Sequence, residues 1–114
     1  MTALEIVRHY FDLSNKSDFE GIAKLFSEGT VYHSANTGEY TGVNDIIKMQ
    51  KAFHGKFKQL HWNVNSVQAV EPDTILSDYD FTGTLPSGEI VQSTGLEYVT
   101  VHDGKIQKIV IQGK

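Results

Sequence analysis

Residues 95–112 read GLEYVTVHDGKIQKIVIQ, and their alternation decides the fold. Asp103-Gly104 stands between two β-branched runs. A two-residue Asp-Gly loop is the strongest short-range hairpin signal, because both positions tolerate the positive φ of a turn whose twist matches its strands. The pair predicts an antiparallel hairpin, with a long strand from Glu89 to Val101 and a last strand from Ile106 to Gln112. Gly95, Glu97, Val99 and Val101 then share one face of the long strand, so a carboxyl group stands on its apolar side.

Working upstream, Leu85-Pro86-Ser87-Gly88 has turn chemistry, with proline presetting φ and glycine taking the strained position. Before it Ile75, Ser77, Tyr79 and Phe81 alternate with Leu76, Asp78, Asp80 and Thr82; Glu71-Pro72-Asp73 makes another turn; and Leu60, Trp62 and Val64 alternate with His61, Asn63 and Asn65. These segments predict a meander of four antiparallel strands. Gly83 and Gly95 are placed where a long strand can kink and let the sheet bend.

Further upstream the period changes to 3.6. Thr2-Ala3-Leu4-Glu5 has capping-box spacing and opens a helix that buries Leu4, Val7, Tyr10, Phe11 and Ser14. Ser17-Asp18-Phe19-Glu20 repeats the spacing for a second helix, with Phe19, Ile22, Ala23 and Phe26 inward. A short strand, Thr30-Val31-Tyr32-His33, precedes the GEY loop, and a third helix starts with Thr41 as its cap and runs to about residue 57. Helices segregated from strands in this way specify an α+β fold. The expected architecture is one domain over residues 1–114, with three helices on a curved mixed or antiparallel sheet that encloses a pocket.

A chain of 114 residues buries roughly two thirds of its unfolded surface, enough for one core. Its formal charge of −4 and scattered lysines do not suit nucleic-acid binding. The absence of cysteine removes disulfides, thiolate nucleophiles and thiolate metal sites. No apolar run reaches the ~18 residues of a membrane span, and Glu5, Arg8 and His9 interrupt what would be a secretory leader, so the expected location is the cytoplasm. No metal site is expected either: there is no HxxxH or HExxH run, and His54 and His61 have no carboxylate pair at ligand spacing. Asp78 and Asp80 share a strand face, which is expected to be the solvated one. No dinucleotide or P-loop fingerprint occurs, so no cofactor is implied.

The stretches IVRHYFDLSNKSDFEGIAKLFSEGTVYHS, GEYTGVNDI and GLEYVTVHDGKI resemble the NTF2-like superfamily, and within it the SnoaL-like polyketide cyclases and ketosteroid isomerases. The resemblance runs from Ile6 to Ile111. It implies a cone-shaped fold over a hydrophobic small-molecule pocket, often dimeric through the sheet. In ketosteroid isomerases a helix-1 tyrosine and a protonated late-strand acid hold an oxyanion, while a first-strand aspartate moves the proton. By that resemblance the catalytic set here is Tyr10, Glu97 and His33, with Glu for Asp as the acid and His for Asp as the base. The implied activity is cofactor-free isomerisation, cyclisation or dehydration of a cyclic ketone or polyketide-like substrate; the alternative is a ligand-binding or dimerisation module without catalysis.

The residues themselves leave this open. His33 carries an imidazole, the side chain best suited to accept a proton at neutral pH, and it faces the core if Val31 does. It is equally readable as a satisfied structural histidine. Glu97 is costly to bury as an anion, so it is either neutral and a hydrogen-bond donor, paired with His33, or exposed by a different register. Tyr10 packs with its helix face, and a pocket would give its hydroxyl a partner. Trp62, Tyr79, Phe81 and Phe53 line a cavity or simply fill the core; Tyr40 closes the pocket mouth or lies on the surface. The outer sheet face, with Gln92, Thr94, Leu96, Tyr98 and Thr100, is the expected homodimer surface.

Overall fold

The structure, a computed structural model, describes residues 1–113. Three helices, α1 (Ala3–Asn15), α2 (Phe19–Ala23) and α3 (Val43–His54), pack on one six-stranded sheet made of β1 (Val31–Ser34), β2 (Gly38–Thr41), β3 (Gln59–Glu71), β4 (Thr74–Thr84), β5 (Ile90–His102) and β6 (Lys105–Gln112). The strand order is β2-β1-β6-β5-β4-β3. The β1–β6 pair is parallel and the other ladders are antiparallel, so the sheet is mixed.

The helix starts follow local chemistry. At α1 the Thr2 hydroxyl accepts from the Glu5 amide at 3.1 Å while the Glu5 carboxylate accepts from the Thr2 amide at 2.9 Å, and two otherwise orphaned donors are satisfied. At α2 the cap is Asp18 rather than the expected Ser17: the Asp18 carboxylate accepts from the Gly21 amide at 2.9 Å. Ser17 sits at φ 53° and its hydroxyl turns elsewhere. The cap of α3 is Gly42 at φ 91°, with no side-chain hydrogen bond, in place of the expected Thr41. That helix ends at His54, about three residues earlier than its apolar spacing predicts, and Phe57 lies in the following loop.

GEYT, read as loop, is strand β2, an edge strand paired to β1 from Val31↔Thr41 to Ser34↔Gly38. Four residues with one aromatic carry too little alternation to be read; the ladder itself makes the strand. Thr30 anchors this corner, because its buried hydroxyl donates to the Ile106 carbonyl at 2.6 Å and accepts from the Ser27 amide at 2.8 Å.

The core lies between α1, α2, α3 and the concave sheet face, where Val7, Ile22, Ile46, Ile75, Val99, Ile106 and Ile109 are fully enclosed. The bends come from bulges at Val64/Ser66, Ala69/Glu71 and Thr100/Val101. Gly83 and Gly95 have another reason to be glycine: aromatic rings lie across them. A methyl on Gly83 would stand 2.5 Å from Phe57 Cδ1, and one on Gly95 would stand 2.6 Å from Tyr79 Cζ. Among the described residues no helix is long and apolar enough to cross a membrane.

Candidate functional site

Between the concave face and helices α1 and α3 lies a cavity of about 150 Å³. One group of its lining is Tyr10 and Ser14 of α1, Tyr32 of β1, Tyr79 of β4 and Glu97 of β5, and another is Phe53, His54, Trp62 and Phe81. Asn36, Thr37 and Met49 border both this cavity and a neighbouring surface groove.

Glu97 is 4% exposed. Among the described residues no hydrogen bond or ion pair to its carboxyl is recorded. Burial alone pushes its pKa from the usual 4.5 up to about 8, so at neutral pH it is predominantly an uncharged acid, able to donate. Three tyrosines register its presence. Burial raises Tyr10 and Tyr32 well above the ordinary tyrosine range, and the nearby Glu97 charge raises both further. Tyr79 is pushed up to about 12 by the same two causes in the same order. Every phenol facing this acid is therefore a neutral hydroxyl.

Tyr10 Oη accepts from Gln50 Nε2 at 2.9 Å, and the Ser14 hydroxyl is a second hydrogen-bonding neighbour of the same phenol. Gln50 is itself buried, and among the described residues its Oε1 has no partner. At the opposite wall His54 Nδ1 lies 2.8 Å from Ser17 Oγ. The His54 ring packs against Phe19 at 4.8 Å and Trp62 at 5.3 Å between centroids. Burial lowers its pKa from 6.5 to about 4, so the imidazole is neutral. Trp62, Phe53 and Phe81 form a continuous aromatic wall beside it, with centroids 4.9–6.2 Å apart. The cavity is thus an apolar slot with a hydroxyl-and-acid end and an imidazole end.

This architecture has relatives. The SnoaL-like domain family matches residues 7–109, nearly the whole chain. The chain belongs to that family. Among solved structures, this SnoaL-like chain superposes on an LEH-like epoxide hydrolase of M. tuberculosis with a TM-score of 0.85 at 14% identity, covering 98% of this chain and 82% of that one. An NTF2-like protein of unknown function from Exiguobacterium gives 0.85 at 18% identity, covering 96% and 98%. A candidate SnoaL-like polyketide cyclase from Shewanella putrefaciens gives 0.82 at 12% identity, covering 96% and 87%. At these identities the likeness is one of fold. No functionally curated protein matches the sequence.

Of the residues singled out from the sequence of this SnoaL-like chain, Tyr10, Glu97, Trp62, Tyr79, Phe81 and Phe53 all line the cavity. His33 does not. The inward orientation expected from Val31 is reversed: Tyr32 and Ser34 face the cavity, while His33 is exposed on the outer side of β1. The cause is the parallel ladder, which sets Tyr32 beside enclosed Ile109 and Val31 beside exposed Lys108. The alternative pairing of Glu97 with His33 is likewise not formed. Tyr40 lines the neighbouring groove, with its hydroxyl donating to the Thr37 carbonyl at 2.9 Å. Asp78 and Asp80 face outward as parity predicts, and both accept from Asn65 Nδ2.

Gln50 and His54 were missed as pocket residues, although the signal existed. Ile46, Gln50 and His54 recur every four residues and are the buried positions of α3. Two polar residues on the buried stripe of a helix mark a polar cavity rather than a dry core. Among the described residues no group of three or more His, Cys, Asp or Glu stands together to hold a metal ion.

Proposed function

We propose that the chain binds a small cyclic ketone or its enol in the cavity and polarises the carbonyl oxygen with the Tyr10 hydroxyl and the protonated Glu97 carboxyl, as a cofactor-free isomerase or cyclase. The observation that carries this reading is the neutral acid: Glu97 sits buried in a cavity wall with its pKa raised to about 8. Neutral donors held in a low-dielectric cavity strengthen as negative charge develops on a bound oxygen, because they need no reorganisation at that moment. Family membership and the fold likeness to SnoaL-like proteins support the reaction class. His33 has no part in this mechanism, because it stands on the other side of the sheet.

The test is exchange of the α-protons of cyclohexanone in D2O, followed by NMR. With water or buffer base taking the α-proton while Tyr10 and Glu97 hold the carbonyl oxygen, wild-type protein should accelerate exchange, and Tyr10→Phe should lose roughly a hundredfold of that acceleration. Exchange at the buffer rate in wild type would overturn the catalytic reading. It would favour ligand binding without catalysis, a reading supported by the place of the expected base, His33, on the outer side of the sheet.

The outer sheet face supports association of two copies. The register aligns Gln68, Leu76, Tyr98, Val110 and His33 in one row across five strands, and Leu76, Tyr98 and Val110 remain half-exposed with no layer over them. Exposed His33 takes its place in that row. Sedimentation at micromolar concentration should give a dimer that Tyr98→Arg dissociates; a wild-type monomer would exclude it.

A further inference from the structure

We infer that the cavity selects a single ring carrying oxygen functions at two opposite ends, one held by Tyr10 and Glu97 and the other, a hydroxyl, held by His54 Nε2. The inference rests on the carbonyl-binding reading above and adds the size and second substituent of the ligand.

Size is the first argument. A cavity of about 150 Å³ is of the size that accommodates one benzene-sized molecule, so a second fused ring would have to project into the neighbouring groove past Asn36, Thr37 and Met49. The walls suit a flat ring: Trp62 and Phe81 are 4.9 Å apart between centroids on one side, and Phe11 meets Tyr79 at 6.2 Å on another.

The second pole follows from geometry. Glu97 is the ladder partner of Ser77. His54 stacks on Trp62, the ladder partner of Phe81. Ser77 and Phe81 are four residues apart on β4, about 13 Å at the usual strand rise, so the acid and the imidazole serve opposite ends of the slot. His54 Nδ1 is occupied by Ser17 Oγ at 2.8 Å. Ser17 borders only the outer groove, whereas His54 borders both groove and cavity. The nitrogen left for the cavity is Nε2, which among the described residues has no protein partner. Its role as donor or acceptor depends on which way the Ser17 contact runs. A hydroxyl suits both tautomers, because it donates and accepts.

Two phenols of nearly equal size separate the terms: 4-methylphenol and hydroquinone, titrated under argon into the full chain by calorimetry, with 2-naphthol as the two-ring control. Hydroquinone should bind roughly tenfold more tightly than 4-methylphenol, the worth of one buried hydrogen bond. The near-isosteric His54→Phe keeps the ring packing and should reverse the order. 2-Naphthol should bind more weakly than either phenol. Equal or tighter binding of 4-methylphenol to wild type overturns the second pole, as does a hydroquinone preference that survives in His54→Phe. Tighter binding of 2-naphthol overturns the single-ring limit. These results leave the carbonyl-binding reading standing if Tyr10→Phe still weakens both phenols. Failure of every phenol to bind removes both.

Discussion

Gln50 Nε2 donates to Tyr10 Oη at 2.9 Å, and this hydrogen bond joins α3 to α1 across the cavity. It fixes the direction in which the tyrosine proton can point. The same amide carries a liability, since Oε1 is buried without a partner among the described residues, at a cost of about 1–3 kcal/mol. Gln50→Leu removes both features. The expected outcome is a melting temperature near that of wild type, the lost donor being offset by relief of the orphaned acceptor, together with weaker phenol binding because Tyr10 is no longer oriented. Chemical denaturation and calorimetry on the same variant check this. A loss of more than about 3 kcal/mol would mean that Oε1 is satisfied in solution.

The raised pKa of Glu97 makes stability fall with alkalinity. The folded state holds this proton up to about pH 8, whereas an unfolded glutamate releases it near 4.5. Between those values the folded state binds more protons, so its contribution declines as pH rises, by about 1.4 kcal/mol per pH unit, and levels off above 8. His54 acts in the opposite direction. Its folded pKa of about 4 lies below the ordinary 6.5, so it is the unfolded state that takes up protons there, and stability rises with pH between 4 and 6.5. That slope is the smaller of the two, because the ring also borders the open groove. The expected curve is therefore shallow from 4.5 to 6.5 and steep from 6.5 to 8. Glu97→Gln should abolish the steep limb, and His54→Phe should extend it down to about 4.5. Urea titrations at half-unit pH steps would show this; a Glu97→Gln curve parallel to wild type would refute the assignment.

The parts of this molecule legible in its sequence are those where local chemistry has one answer. Asp103-Gly104 names its hairpin, and Asp103 and Gly104 do adopt positive φ. Thr2 and Glu5 form the capping box their spacing announces. Glu97 faces inward because Gly95 to Val101 of β5 alternate in one phase. β1 has four residues, with one large apolar side chain on each parity, Val31 and Tyr32. Nothing local sets its phase; the distant partner β6 does. His54 was obscured differently. The apolar spacing of α3 runs to Phe53 and Phe57, whereas burial follows Ile46, Gln50 and His54, two of them polar because the surface they face is a cavity.

Gly95 lies under the Tyr79 ring, with a would-be methyl 2.6 Å from Tyr79 Cζ. The ring cannot yield cheaply, since it is 8% exposed and packed against Phe11. Gly95→Ala should cost about 1–3 kcal/mol, the usual size of overpacking, and should push Tyr79 into the cavity. Thermal denaturation and loss of phenol binding should appear together. Gly88→Ala is the control for a glycine with open surroundings; there the penalty comes only from its φ of 93°, and phenol binding should survive.

Ser77 faces Glu97 across the β4–β5 ladder and is fully enclosed, yet among the described residues its hydroxyl has no hydrogen-bond partner. A buried hydroxyl that has given up water without replacement is a net cost. Alanine keeps the small volume the site requires and removes the unsatisfied group. Ser77→Ala should therefore leave the protein as stable as wild type or more stable by about 1 kcal/mol. The acid also makes the test informative about the site. Were the hydroxyl to turn and donate to Glu97 once that carboxylate ionises, Ser77→Ala would destabilise the protein above pH 8 while leaving it unchanged at pH 6. Denaturation at those two pH values decides the matter. Equal shifts at both mean that Ser77 is a passive neighbour; destabilisation confined to the alkaline side makes it a donor to the ionised acid.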